Sequence, residues 1–425
     1  MSISCGIDFG TTNTAASLVV DDATPELLYL EEDKTTIPSA LFFDTDNQVY
    51  FGHKAMSMYT SGEDGRCMRS IKRILGSNLM NTDTYINNRR VSFIEILSYF
   101  LKNIKNKIDA KANYNVENVT MGRPVHFRDN DPKGDMQAEK ELLRIATNVG
   151  FKNIEFQYEP IAAAFAHETK VQQEKLACVI DIGGGTSDFT VIRIGKNLIY
   201  KTDRKDDILA STGVRIGGND FDKDLSMKCF MPTFGYGTKE GGQSCNDKIL
   251  TLPTHPYFTM AEWSSINSMY NYKDLTFVKK MLYLAIEKDK VQRFVELIEK
   301  EKGYSLLNAV ETSKIQLTQT PNVDVTLDFI SDSPVISVSN ENFNLSIQHD
   351  IKKIFNHIDE CIKQAQIKPS NIDIVILTGG STEVPLVQKL VSEYFPNAEL
   401  SQENKLSSVS LGLAYDSMRK FGLNK

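Results

Sequence analysis

Six cysteines in 425 residues, at 5, 67, 178, 229, 245 and 361, are too few and too scattered for a disulfide framework, and no two form a CxxC pair. That usage points to a reducing compartment, and a cytoplasmic location is expected. Basic charge is not in excess either. Lys and Arg number 48 against 55 Asp and Glu, a net charge of −7, so the footprint of a nucleic-acid binder is missing. No stretch approaches the roughly 20 apolar residues of a membrane span. The N-terminus lacks a charged segment followed by a long apolar run, so neither a signal peptide nor a membrane partner is expected. What remains is ordinary for a globular protein, 41% hydrophobic and 24% charged. A prior of roughly 150 residues per domain implies two to four units. Lysines 102, 105, 107 and 111 share one helix face, read here as solvated. Cys5 and Cys178 stand in apolar stretches and are expected as small core residues.

One short unit occurs twice. Residues 5–12 read Cys-Gly-Ile-Asp-Phe-Gly-Thr-Thr, and residues 178–186 read Cys-Val-Ile-Asp-Ile-Gly-Gly-Gly-Thr. Each is an apolar strand that ends in a carboxylate and opens into a Gly/Thr turn. A second apolar stretch follows each turn, at 15–20 and at 189–194. Two such hairpins suggest a duplicated architecture that grips one polyphosphate from two sides.

Elsewhere strands alternate with helices, which argues an α/β fold. A strand is expected at 119–125 and a helix at 135–149, with Gly150 as its stop. A short strand at 154–157 and a tight helix at 160–167 follow. Residues 231–260 have loop composition and read as a surface insertion. Helices are expected over 261–319, strands over 323–347, a helix over 350–366, a buried strand at 373–377 and a closing helix over 410–421. Pro385 suits the first turn of the helix after the buried strand, where its missing N–H would be unpaired anyway.

In Asp8-Phe9-Gly10-Thr11-Thr12-Asn13, Gly10 lets the backbone bend close to a phosphate. Successive N–H groups in such a turn form an anion-binding nest, and the threonine hydroxyls add donors. Asp8 can hold water molecules of a Mg²⁺ ion, which sheds its hydration shell reluctantly. Asp181-Ile182-Gly183-Gly184-Gly185-Thr186-Ser187-Asp188 repeats that logic with a wider turn. A third element, Leu377-Thr378-Gly379-Gly380-Ser381, joins a strand to a helix start through a glycine pair. That is a cradle for a nucleoside or phosphate, and taken alone it reads equally well as a turn without function.

In order and content these segments resemble the actin, hexokinase and DnaK superfamily, and within it the ATPase region of the DnaK-type heat-shock chaperones. The two hairpins are similar to that family's phosphate loops. Tyr158-Glu159-Pro160-Ile161-Ala162-Ala163-Ala164 resembles its first connecting segment, and Ser70-Ile71-Lys72-Arg73-Ile74-Leu75-Gly76 its catalytic-lysine segment. Gly217-Gly218-Asn219-Asp220-Phe221-Asp222 and residues 376–385 resemble two more. A closer resemblance, to the YegD-type short chaperone homologues, rests on Met121-Gly122-Arg123-Pro124-Val125, Phe156-Gln157-Tyr158-Glu159-Pro160, Met231-Pro232-Thr233-Phe234-Gly235 and Lys314-Ile315-Gln316-Leu317-Thr318.

The resemblance implies a two-lobed actin-like ATPase fold, each lobe a mixed sheet with flanking helices around a central nucleotide cleft. Lobe I would be 1–170, with core 1–38 and 112–170, subdomain 39–111 and closing helix 406–425. Lobe II would be 171–405, with core 171–225 and 311–405, and subdomain 226–310 carrying the insertion near 231–260. ATP or ADP and Mg²⁺ are the implied ligands. Asp8 and Asp181 would hold the metal through water. Lys72 would reach the terminal phosphate. Glu159 and Asp188 would position the attacking water or take its proton. Thr11, Thr12 and Thr186 would bond phosphate oxygens, with Gly10, Asn13, Gly183, Gly184, Gly185, Gly217, Gly218, Gly379, Gly380 and Ser381 shaping the site. Glu311 and Lys314 would take the ribose, and Thr318 the base. The plain alternatives are a surface lysine at 72 and a helix cap at Glu159. A carboxylate at 188, just past a glycine turn, has little structural purpose.

Two departures from the family pattern stand out. Ile315 and Glu383 occupy the positions where the resemblance implies arginines flanking adenine, so a different and weaker grip on the base is expected. With its last residue at Lys425, the sequence is also expected to lack the peptide-binding domain, lid and acidic-leucine linker that the resemblance would imply. The expectation is a monomeric, slow ATPase, chaperone-like, whose lobe closure answers to nucleotide and which meets client proteins or an exchange or co-chaperone partner. A non-catalytic nucleotide-gated interaction module is the alternative. A small-molecule kinase is a third reading, disfavoured by the chaperone-type segments.

Overall fold

Ile3–Phe9 and Asn13–Val20 pair antiparallel, and Lys175–Ile182 and Ser187–Ile194 do the same. Both pairs are buried on both faces almost throughout, so each is covered on both sides. In each case the first strand of the hairpin also pairs parallel with a third strand. Ile3–Phe9 lies beside Asn118–Arg123, and Lys175–Ile182 beside Ile374–Thr378. The duplication visible in the motifs is thus a duplication of sheets. The first sheet runs Asn153–Tyr158, Asn118–Arg123, Ile3–Phe9, Asn13–Val20 and Glu26–Leu27, with Thr36–Pro38 also on its fourth strand. The second runs Ile208–Val214, Ser187–Ile194, Lys175–Ile182, Ile374–Thr378 and Glu399–Ser401. This computed structural model describes residues 2–21, 23–199, 201, 203–241, 250–401 and 407–422.

The chain adopts the α/β class expected of it. Two compact units are formed, one from residues 1–218 and 353–425, the other from 219–352. The first holds both sheets. Phe93–Ala112 and Pro132–Val149 cover one face of the first sheet, with Phe100, Ile104, Leu142 and Ile145 fully buried. Gly150, at a φ of +113°, ends the second of these helices, as its position in the sequence predicts. Ser408–Phe421 packs against Glu159–His167 so closely that a Cβ on Gly412 would stand 1.6 Å from the Ala162 carbonyl oxygen. Only glycine permits that crossing. Ser17 and Ser410 join their hydroxyls at 2.7 Å beneath it. Both Cys5 and Cys178 are fully buried, and the five cysteines among the described residues are free; Cys245 lies outside them.

The lysine cluster departs from expectation. Lys105 is not solvated but 1% exposed, its Nζ 2.6 and 2.7 Å from the two Asp109 oxygens and 2.9 Å from Asn115 Oδ1. It also stands 5.2 Å from the Phe151 ring centre. Charge pattern alone does not distinguish a wet lysine from one whose carboxylate partner lies one helical turn on.

In the second unit, Asn322–Thr326 and Val335–Ser339 form a hairpin, but the strand pattern expected over 323–347 stops there. From Asn340 the chain is helical to Gln364, because Phe343, Ile347, Ile351, Ile354 and Ile358 recur at helical spacing and are buried. The stretch 231–260 is also corrected: it is not a plain surface loop. Met231–Phe234 is a short 3₁₀ turn and His255–Met260 a helix, and Met231, Phe234, Tyr257 and Met260 are buried. Tyr257 stacks on Phe294 at 4.4 Å. Pro and Gly signal the breaks in this stretch correctly, but aromatic side chains between them bind it to the interior. The centre of the expected insertion, 242–249, lies outside the described residues, as do both ends of the closing helix expected over 406–425.

Candidate functional site

Three turns meet at one cleft in the first unit, open to solvent. The first hairpin contributes Asp8 and residues 10–13, the second Asp181 and residues 183–186, and the third turn residues 378–380. The first and third turns are too tight for ordinary side chains. A Cβ on Gly10 would lie 2.3 Å from the Asn13 carbonyl oxygen. Gly379, at a φ of +78°, would carry a Cβ 2.3 Å from the Ile182 carbonyl oxygen. The turns brace one another. Gly183 N–H donates to Thr186 O at 3.0 Å, Gly218 N–H to Gly183 O at 2.9 Å, and Ser381 Oγ to the same oxygen at 3.2 Å. The two hairpins face each other at contact distance, since a Cβ on Gly185 would meet Thr11 Oγ1 at 2.7 Å.

Lys72 and Glu159 reach the cleft from different elements. Lys72 sits in the 3₁₀ turn Ile71–Ile74, and Glu159 opens the helix Glu159–His167. Their Nζ and Oε1 atoms are 2.7 Å apart, and both residues are buried. Lys72 is therefore no surface lysine. Glu159 lies over Gly122, where a Cβ would crowd its Cγ at 3.1 Å.

Acidic groups outnumber bases around this pair. Burial, then the Glu159 charge, pushes Asp8 up to about 7. Burial, then Glu159, Asp188 and Asp8, holds Asp181 well above the ordinary carboxylate range. Asp188 is pushed up to about 8 by burial and then by Glu159, against the pull of the Val125 N–H, the Thr186 hydroxyl and Lys72. Carboxylates kept close, out of water and short of countercharge are a place for a cation. Among the described residues, no three His, Cys, Asp or Glu groups stand close enough to hold a metal directly. Asp8 and Asp181, which line the cleft at the two strand ends, are the carboxylates that could hold the water shell of such an ion.

Not every expected residue lines the cleft. Asp188 lies behind the wall, directly across the hairpin from Asp181, and takes the Val125 N–H at 2.7 Å. Gly217 packs beneath the second turn, where a Cβ would stand 2.7 Å from the Gly183–Gly185 backbone, and Gly218 is tied there through its N–H. Glu311, Lys314 and Thr318 belong to the second unit, on or just after the helix Gly303–Gln316. There Lys314 Nζ pairs with Asp222 Oδ1 at 2.7 Å, and Thr318 Oγ1 donates to Ile315 O at 2.7 Å. Phe127 and Arg215 line the cleft without having been marked by any motif. Arg215 stands two residues before the Gly217-Gly218 pair, and only the tertiary fold carries its side chain to the site.

The family model described as Hsp70 protein matches residues 4–249 and 277–418. Curated relatives agree. The chaperone protein DnaK of Thermotoga petrophila is 25% identical over 419 residues, covering 96% of this chain and 58% of the relative. Those of Thermosipho melanesiensis, 25% identical, and Mycoplasmopsis agalactiae, 26% identical, match over 419 residues as well, 58% and 57% of their lengths. The chain thus spans less than two thirds of the relatives it matches. Among the described residues no helix is long and apolar enough to cross a membrane.

Proposed function

The chain belongs to the Hsp70 protein family, and on that premise we propose that it binds ATP with Mg²⁺ and hydrolyses it slowly to ADP and phosphate, as a chaperone-like switch. The observation that carries this reading is the convergence of Asp8, Lys72, Glu159, Asp181 and three glycine-bearing turns on one cleft. The turns offer backbone N–H groups and the Thr11, Thr12 and Thr186 hydroxyls to phosphate oxygens. Asp8 and Asp181 hold the water shell of the metal. When bound, Mg²⁺ neutralises charge on the phosphates. Lys72 meets the terminal phosphate, and its pairing with Glu159 keeps both groups in place. Glu159, with Asp188 behind it, orients the attacking water and accepts its proton. Lobes at 1–170 and 171–405 would close over the nucleotide, and slow turnover suits a site that closure completes. Clients, exchange partners or co-chaperones would read the closed state.

A second reading, a nucleotide-gated module without turnover, draws support from Ile315. It is 57% exposed and replaces a planar cation with an apolar side chain. Phosphate release from ATP decides between them, measured alone, with candidate sugars and with unfolded protein. Release that needs no acceptor supports hydrolysis. Tight ATP binding without release supports the gate. Transfer to a sugar overturns both.

A further inference from the structure

Lys72 is not the only cation at the cleft; Arg73 and Arg215 line it too. Arg215 follows the edge strand Ile208–Val214 of the second sheet. Its backbone is firmly mounted. Val214 pairs with Ser187, Ser187 Oγ donates to Ile216 O at 2.7 Å, and Arg215 N–H donates to Asp129 Oδ2 at 2.8 Å. Gly217, two residues on, is wedged under the second turn. The side chain is half-buried, and Nη2 donates to the backbone carbonyl of Arg73.

That contact locates the guanidinium. Arg73 is the neighbour of Lys72, one Cα step of ~3.8 Å along the chain, so the Arg215 head is moored to the residue next to the lysine. It sits at the Lys72 end of the cleft. That contact is made to a neutral carbonyl. A phosphate oxygen is a stronger acceptor, and the planar guanidinium matches two of them at once.

We infer that Arg215 contacts the terminal phosphate of bound ATP and makes the site prefer triphosphate over diphosphate. The inference rests on the proposed ATP site and adds a residue to it. Lys72, held by Glu159, supplies a point charge, and Arg215 supplies an oriented fork from the opposite sheet. When the terminal phosphate leaves, the guanidinium returns to the Arg73 carbonyl, so one side chain reports occupancy of that position to the Lys72 turn.

The test is titration of the wild-type protein, Arg215→Met and Arg215→Lys with Mg²⁺ and either ADP or the β,γ-imido analogue of ATP. The methionine variant is expected to lose about 10- to 100-fold in affinity for the triphosphate, the range of one charge-assisted contact. Its ADP affinity should stay within about twofold of wild type, which also shows that the variant is folded. Lysine should restore only part of the loss, because it keeps the charge without the fork. Equal losses for both nucleotides, or no loss for either, overturn the inference and leave the ATP site standing. A wild-type protein that binds neither nucleotide fails at the first measurement and takes the proposed function with it.

Discussion

Gly213 lies under the carboxylate of Asp188: a Cβ at residue 213 would stand 2.5 Å from Asp188 Oδ1 and 3.1 Å from Val125 Cβ. The two residues face each other on paired strands. The same Oδ1 accepts the Val125 N–H at 2.7 Å, so a shift of the carboxylate gives up that bond.

Gly213→Ala is therefore expected to displace Asp188 rather than be absorbed. Overpacking of this kind costs about 1–3 kcal/mol, and misplacing a catalytic group by ~1 Å lowers turnover by about 100-fold. Thermal melting and phosphate release on the same preparation check this. Unchanged turnover would show that Asp188 is not needed where it stands.

Lys72→Met should abolish most hydrolysis, and Glu159→Gln should lower it by about 10²- to 10⁴-fold, the usual contribution of a positioned acid or base. ADP affinity should change far less in Glu159→Gln, since the phosphate turns are intact. Single-turnover phosphate release beside ADP titration separates the two effects. A Glu159→Gln protein that hydrolyses at the wild-type rate rules this residue out of the chemistry.

The raised carboxylates predict a pH dependence. Asp8 and Asp188 stand near 7 and 8 in the fold, against an ordinary 3.8. The folded protein thus retains protons that the unfolded chain has released. Their contribution to stability is present in full below about pH 4 and is lost as the pH rises to about 8. The ligand-free protein should melt at lower temperature at pH 8.5 than at pH 6. Saturating Mg²⁺ and ADP should flatten that slope, because the cation favours the charged carboxylates. Melting curves across this range, with and without ligand, test it; parallel slopes would count against a metal at this position.

Lys105 offers a test remote from the cleft. Asp109→Ala strands a buried ammonium and should destabilise the protein by about 3–5 kcal/mol. Lys105→Met combined with Asp109→Leu should recover most of that, because a buried pair replaced by apolar side chains is often neutral. Urea unfolding of the three proteins is the measurement. Full stability in Asp109→Ala would show that the lysine reaches water.

Local chemistry was legible along the chain. Asp8 and Asp181 at strand ends, the glycines after them, and Gly150 closing a helix each follow from backbone rules that act within a few residues. Two matched copies of a rare turn were enough to propose a shared polyphosphate, and both do line one cleft. The helix from Asn340 was harder to read. Val335–Ser339 alternates with period two, and the change to helical period comes without a glycine or proline to mark it.

The amino-acid sequence by itself determined the duplicated hairpins, the α/β class and which residue types could touch a phosphate, because turn geometry and apolar periodicity are short-range properties. Only the tertiary structure decided that Lys72 meets Glu159, that Asp188 stands behind the wall, that Lys105 is dry and that Arg215 reaches the cleft. Each of those depends on the packing of segments far apart in the chain. Burial and charge pairing between distant side chains are set by where the elements come to rest, and no local pattern records that.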